Sequence, residues 1–128
     1  MTENEIAKKL VELFLKIHRH LGPGLLESVY EEILCYELDK NNLVYKRQQA
    51  VPVIYEDIRL ELGFRTDIIV CNKVIVELKS VEYILPVHHK QLQTYLKLTD
   101  KRLGLLVNFN VSLIKDGISR VVNNLGEM

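Results

Sequence analysis

The chain lacks a long apolar run, a cysteine framework and an apolar leader. No apolar stretch approaches the ~20 residues of a membrane-spanning helix, so we expect no membrane segment. The two cysteines, Cys35 and Cys71, have no metal-ligand spacing and predict reduced thiols. The first residues are acidic and carry no signal-peptide pattern, so we expect a cytoplasmic protein.

The chain also lacks a net charge, because 17 Lys and Arg residues balance 17 Asp and Glu residues. That balance argues against strong general attraction to nucleic acid, which depends on Lys and Arg neutralising phosphates. No internal repeat, low-complexity segment or linker interrupts the sequence. With 128 residues and 48% hydrophobic content, it predicts one domain spanning 1–128 with a proper core.

Hydrophobic periodicity predicts the order α, α, β, β, β, α, β. Thr2 and Glu5 form a capping-box pattern at the start of the first helix, and Gly22-Pro23-Gly24 ends it. The later elements are a helix over 25–40, strands over 44–55, 58–70 and 74–79, a helix over 86–98, a strand over 103–109 and an edge strand near 118–122. A hairpin followed by a strand–helix–strand crossover predicts an α/β (α+β) fold, with a mixed central sheet flanked by helices.

The strand over 58–70 alternates between apolar even positions and mostly polar odd positions, which predicts one buried face along its length. If 71–73 form the hairpin loop, Val70 faces Val74 and Asp67 faces Glu77. Opposed residues have Cβ atoms roughly 4.5–5.5 Å apart. Two carboxylates that close repel by roughly 3 kcal/mol at an effective dielectric of about 20.

Such a pair requires a compensating positive charge, and two sources are open. One is a hard divalent cation, which prefers oxygen ligands. The other is local, because Arg65 and Lys79 fall on the same strand face and could form a solvated square of two acids and two bases.

Glu27 lies at the start of the second helix, in line with Leu34 and Leu38 and beside Tyr30. The polar sector of that helix is predicted elsewhere, at Ser28, Glu31, Glu32, Cys35 and Asp39. Glu27 should therefore sit at the margin of the buried face, where a carboxylate needs a partner. The alternative is a boundary residue whose stem packs while its head reaches water.

On the third helix, Gln91 and Tyr95 share a face with His88 one turn earlier. Gln91 could orient a water or a phosphate oxygen, or it could be an ordinary exposed helix residue. His88 and its neighbour His89 have no cysteine or acidic partners at zinc-ligand spacing.

Taken together, these residues resemble the PD-(D/E)xK nuclease superfamily, and within it the branch called GxxExxY. Five blocks carry the resemblance in order: Gly24-Leu25-Leu26-Glu27-Ser28-Val29-Tyr30, Phe64-Arg65-Thr66-Asp67, Val76-Glu77-Leu78-Lys79, His88 to Leu96, and Gly104 to Phe109. The proline of the superfamily's name is replaced by Thr66, which removes no chemistry.

The resemblance implies a restriction-endonuclease-like core and metal-dependent hydrolysis of DNA or RNA. Asp67 and Glu77 would bind Mg²⁺ or Mn²⁺, with Glu27 completing the metal site. Lys79 would orient the attacking water, and Gln91 would support the site. Tyr30, Arg65, His88 and Tyr95 are further supporting candidates.

Two other functions stay open beside the nuclease. One is a catalytically silent module that binds nucleic acid or protein on the same fold. The other is a structural domain whose charges form a surface network. A domain this small would need a partner subunit to span two strands, so duplex cleavage would require a homodimer.

Overall fold

The computed structural model describes residues 1–126; Glu127 and Met128 of the predicted domain lie outside the described residues. The helices and strands are α1 (Glu3–Leu21), α2 (Glu27–Lys40), β1 (Tyr45–Tyr55), β2 (Ile58–Val70), β3 (Val74–Lys79), α3 (Pro86–Thr99), β4 (Leu103–Asn108) and β5 (Ile118–Val122), with a 3-10 turn at Ile114–Gly117 before β5. The predicted order is confirmed, and the tail does add the edge strand.

The five strands form one mixed sheet in the order β1-β2-β3-β4-β5. β2 and β3 pair antiparallel as a hairpin, and β3 and β4 pair parallel because α3 crosses between them. The three helices flank this sheet, which confirms the predicted α+β class and is consistent with a restriction-endonuclease-like fold.

Alternation along the central strands divides the core between the two sheet faces. Even positions of β2 and β3, such as Ile68 and Val76, pack with α1 and α2, whereas Ile75 packs with Leu92 and Leu96 of α3. At the start of α1, the predicted capping box forms between Thr2 and Glu5. Of residues 1–126, no helix is both long and apolar enough to cross a membrane.

The predicted buried face of β2 is wrong for the first half of the strand. Ile58, Leu60 and Leu62 are all more than half exposed, with Leu60 at 55%. β3 pairs only with the last residues of β2, so the first half pairs with β1 alone as a two-stranded ribbon beyond the sheet. Alternation indicates a strand, but burial of the apolar side depends on a covering layer.

The predicted polar sector of α2 is also wrong at two positions. Glu31 and Cys35 are buried, whereas Glu32, the residue after Glu31, is exposed as predicted. β1 follows α2 and brings Arg47 and Gln48 against the helix, so Glu31 is buried with hydrogen-bond donors beside it.

Candidate active site

The β2–β3 hairpin places the two candidate metal ligands as the alternation predicted. The loop covers 71–73, and the amide of Lys73 donates to the carbonyl of Val70 at 3.0 Å. Val70 pairs with Val74, as predicted, and the ladder continues to Ile68 and Val76. Asp67 and Glu77 are the next residues along the two strands, just beyond this last ladder pair.

Each of these two carboxylates accepts a hydrogen bond from the backbone of the other strand. The Leu78 amide donates to Asp67 Oδ2 at 2.8 Å, and the Asp67 amide donates to Glu77 Oε1 at 3.2 Å. The two side chains therefore replace the regular ladder where β2 and β3 separate. These bonds hold both carboxylates in fixed positions without help from a charged partner.

Glu77 is buried and Asp67 is half-buried, an environment that disfavours the ionised form of both acids. Glu77 is only 8% exposed, and burial together with the negative charge of Asp67 raises its pKa to about 8. Burial also raises the pKa of Asp67. Lys79 is half-buried, and its positive charge favours a lower pKa for both acids, against the effect of burial. Its ammonium is thus within electrostatic reach of the pair.

The alternative square of two acids and two bases does not form. Within residues 1–126, no ion pair joins Arg65 or Lys79 to Asp67 or Glu77. Arg65 is exposed and donates instead to the backbone carbonyl of Gln48 at 3.4 Å. Local compensation of the two acids is therefore limited to the longer-range effect of the Lys79 charge, without a direct ion pair.

Glu27 reaches the end of β3 from the first residue of α2. Its Oε2 accepts a hydrogen bond from the Ser80 amide at 3.2 Å, one residue after Lys79. The side chain is exposed, whereas Leu34 and Leu38, with which it was aligned, are fully buried. Glu27 thus turns toward the end of β3, but it keeps contact with water.

A family model described as the PD-(D/E)XK nuclease superfamily matches residues 4–121. The chain belongs to this superfamily. No curated protein and no solved structure matches the chain. The superfamily match covers every candidate site residue named from the sequence.

Members of the PD-(D/E)XK superfamily generally use divalent metal ions. No group of three or more His, Cys, Asp or Glu side chains in the described part of the chain is placed to hold a metal, so Glu27 does not form a cluster with Asp67 and Glu77. Mg²⁺ is commonly bound by one or two carboxylates and completes its shell with waters. The two adjacent oxygen-donor side chains, neither of which has an ion-pair partner among the described residues, fit such an ion.

The candidate site residues on α3 differ in their contacts and in their exposure to solvent. Tyr95 stacks on Phe64, with ring centroids 4.0 Å apart and ring planes within 6°. Burial, followed by the charges of Glu77 and Asp67, raises the pKa of Tyr95, so its phenol lies within electrostatic reach of the acids. Gln91, one turn earlier, is exposed.

The His88 side chain forms a hydrogen bond at the beginning of α3. Its Nδ1 accepts a hydrogen bond from the Leu85 amide at 3.0 Å, which satisfies a backbone donor where the helix starts. Pro86 occupies the first helical position, as predicted. These two residues define where α3 begins, and thereby where Tyr95 meets Phe64.

Tyr30 is a core residue that shapes the turn before Glu27. Its ring is fully buried and stacks on Phe109, with ring centroids 4.3 Å apart. Its hydroxyl donates to the Gly22 carbonyl at 2.6 Å and accepts from the Leu25 amide at 3.2 Å. The tyrosine of the GxxExxY pattern thus fixes the segment from which the glutamate projects.

The sequence did not identify Glu31 as a residue near the Asp67–Glu77 pair. Beyond the main effect of burial, its negative charge contributes to raising the pKa of Asp67, so it lies within electrostatic reach of the pair. It accepts from Arg47 Nη2 at 2.8 Å and from Gln48 Nε2 at 2.9 Å. The only sequence signal for Glu31 was its position four residues after Glu27, which places the two side chains on the same face of α2.

Proposed function

We propose that the chain is a metal-dependent nuclease of the GxxExxY branch, hydrolysing phosphodiester bonds of DNA or RNA with Mg²⁺ or Mn²⁺. One observation carries the proposal. Asp67 and Glu77 are held together by backbone hydrogen bonds in a largely buried site, and neither has an ion-pair partner among the described residues. Two acids placed this way repel each other when both are ionised, and the repulsion is relieved either by a proton on Glu77 or by a cation that completes the site.

Asp67 and Glu77 would hold the ion, which when bound supplies an acidified water and screens charge on the phosphate. Lys79, within electrostatic reach of both acids, orients that water and stabilises the negative charge that builds on the phosphate oxygens. Glu27, held by its hydrogen bond from the Ser80 amide, would act from α2 at the edge of the site, and Gln91 would support the site from α3. Tyr30, Arg65, His88 and Tyr95 shape the surroundings.

The remaining features of the proposal come from the length and composition of the sequence. Residues 1–128 form a single nuclease domain that acts in the cytoplasm. Its partner is nucleic acid, and cleavage of both strands of a duplex would take a homodimer, because one site of this size addresses one strand.

A metal titration combined with a cleavage assay tests the proposal. Mn²⁺ should bind weakly in calorimetry, and Mg²⁺ or Mn²⁺ should support cleavage of mixed DNA and RNA substrates. Glu82→Gln serves as the control, because it removes an exposed acid close in sequence to Lys79. Absence of binding at millimolar Mn²⁺ would refute the metal site, and binding without cleavage of any substrate would favour the silent binding module.

A further inference from the structure

The block from Gly104 to Phe109 contains a buried polar residue that the proposed chemistry does not use. Asn108 is only 3% exposed and ends β4. In the parallel ladder it lies opposite Lys79. A buried amide side chain needs partners for both its oxygen and its nitrogen.

Asn108 finds those partners in the segment that follows Lys79. Its Oδ1 accepts from the Val81 amide at 3.1 Å and from the Asn110 amide at 3.2 Å. Its Nδ2 donates to the Val81 carbonyl at 3.0 Å. The side chain therefore bonds both backbone groups of Val81 and extends the pairing of β3 with β4 past the last strand residue.

The same segment is bound on its other side by the turn before α2. The Ser80 hydroxyl donates to the Leu25 carbonyl at 2.6 Å, and the Ser80 amide donates to Glu27. The Phe109 amide also donates to the Lys79 carbonyl at 2.9 Å. Residues 79–81 are thus held between the end of β4 and the beginning of α2.

Lys79 itself has no ion pair within residues 1–126, so its position depends on its backbone and not on a charged neighbour. The Glu27 carboxylate depends on the Ser80 amide in the same way. Both candidate site groups therefore take their placement from the 79–81 segment that Asn108 anchors.

We propose that Asn108 is a positioning residue, which through Val81 and Ser80 holds Lys79 and Glu27 in register with the Asp67–Glu77 pair. This inference rests on the proposed nuclease function for its kinetic consequence, but its structural part does not. Losing the amide leaves both backbone groups of Val81 without these partners, and the segment then moves.

The kinetic test compares Asn108→Ala with Asn110→Ala in the full chain. Asn110 is the matched control, because it donates only one longer bond of 3.3 Å to the same Val81 carbonyl and is half-buried. With saturating Mg²⁺, Asn108→Ala should lower kcat by about 10- to 100-fold, the effect of misplaced catalytic groups. KM and Mn²⁺ affinity should stay within about twofold, and the control should cleave like the wild type.

A second readout works even if the protein cleaves nothing. Glu27→Gln should shift the amide proton of Ser80 in the NMR spectrum, because that amide donates to the Glu27 carboxylate. This shift of the Ser80 amide proton should disappear when Glu27→Gln is combined with Asn108→Ala, and it should persist when Glu27→Gln is combined with Asn110→Ala. An inactive wild type with this pattern would refute the nuclease but not the positioning role.

Ser80→Ala gives an independent variant if Asn108→Ala fails to fold. This variant removes one hydroxyl near the surface. It should reduce kcat without changing KM, and it should weaken the shift of the Ser80 amide proton caused by Glu27→Gln. The inference is overturned if folded variants keep both the wild-type kcat and the Ser80 response to Glu27→Gln, or if they change only the melting temperature.

Discussion

Glu31 and Glu77 are buried to nearly the same extent, at 9% and 8% exposure, but their surroundings differ. Glu31 accepts hydrogen bonds from the guanidinium of Arg47 and from the Gln48 amide. Glu77 accepts one backbone hydrogen bond and faces the carboxylate of Asp67. The first acid has a matched partner of opposite charge, and the second has a partner of the same charge.

A third buried acid follows the pattern of Glu31. Glu37 is 5% exposed and pairs with Lys16 at 2.9 Å, with Lys40 at 4.0 Å. Elsewhere the fold thus supplies a base to each buried glutamate, but at the hairpin it supplies a second acid. This is the contrast expected between charges that stabilise the fold and charges that would bind a ligand under the proposed function.

The largest expected effect is on cleavage. Asp67→Asn keeps the side-chain shape and an acceptor for the Leu78 amide but removes one ligand charge, so metal-dependent cleavage should fall by at least about 100-fold. Stability of the metal-free protein should rise or stay level, because repulsion with Glu77 is relieved. Cleavage assays and thermal melts without metal measure the two effects. A clear loss of stability in an otherwise inactive protein would mean that the pair is structural.

Glu31→Gln should have the opposite stability effect to Glu77→Gln. It leaves Arg47 paired only with the exposed Glu32, so urea unfolding should show a loss of roughly 1–2 kcal/mol. Glu77→Gln should be neutral or stabilising, since glutamine removes an acid that must take up a proton, or carry a disfavoured charge beside Asp67, when the protein folds. If both variants lose stability equally, the contrast between the two acids is wrong.

The pH dependence of stability should report Glu77 directly. Its pKa rises from 4.5 to about 8 in the folded protein, so the folded state binds more protons than the unfolded state between those values. This contribution is fully present below about pH 4.5 and is lost as the pH rises through about 8. Each pKa unit corresponds to about 1.4 kcal/mol, so the loss between pH 5 and 8 should exceed roughly 1 kcal/mol.

The matched measurement compares urea unfolding of the wild type and Glu77→Gln across that pH range without metal. The difference between the two curves isolates Glu77 from the histidines. Millimolar Mn²⁺ should reduce the slope of the wild type, because metal binding requires the deprotonated acids. Parallel curves for the two proteins would contradict the raised pKa.

The smallest effect is expected at Glu37. Lys16→Ala removes its nearer base, but Lys40 stays within 4.0 Å and the Lys16 side chain is half-exposed. Stability should fall by less than in Glu31→Gln, and cleavage should not change. Thermal melting beside the Glu31 variant tests this order.

Local sequence determined most of the fold. The capping box at Thr2, the glycine turn after α1, the strand alternation and the crossover before β4 each depend on neighbouring residues, and the structure confirms them. The opposition of Asp67 and Glu77 could also be predicted, because a three-residue loop sets the register of a hairpin.

Tertiary structure decided the features that depend on contacts between distant segments. The apolar side of Ile58, Leu60 and Leu62 stays exposed because no layer covers it, and alternation cannot show which neighbours a strand has. Likewise, Glu31 is buried because β1 brings Arg47 beside it, and Glu27 meets Ser80 although 53 residues separate them. Periodicity identifies the faces of an element, but only packing determines what each face meets.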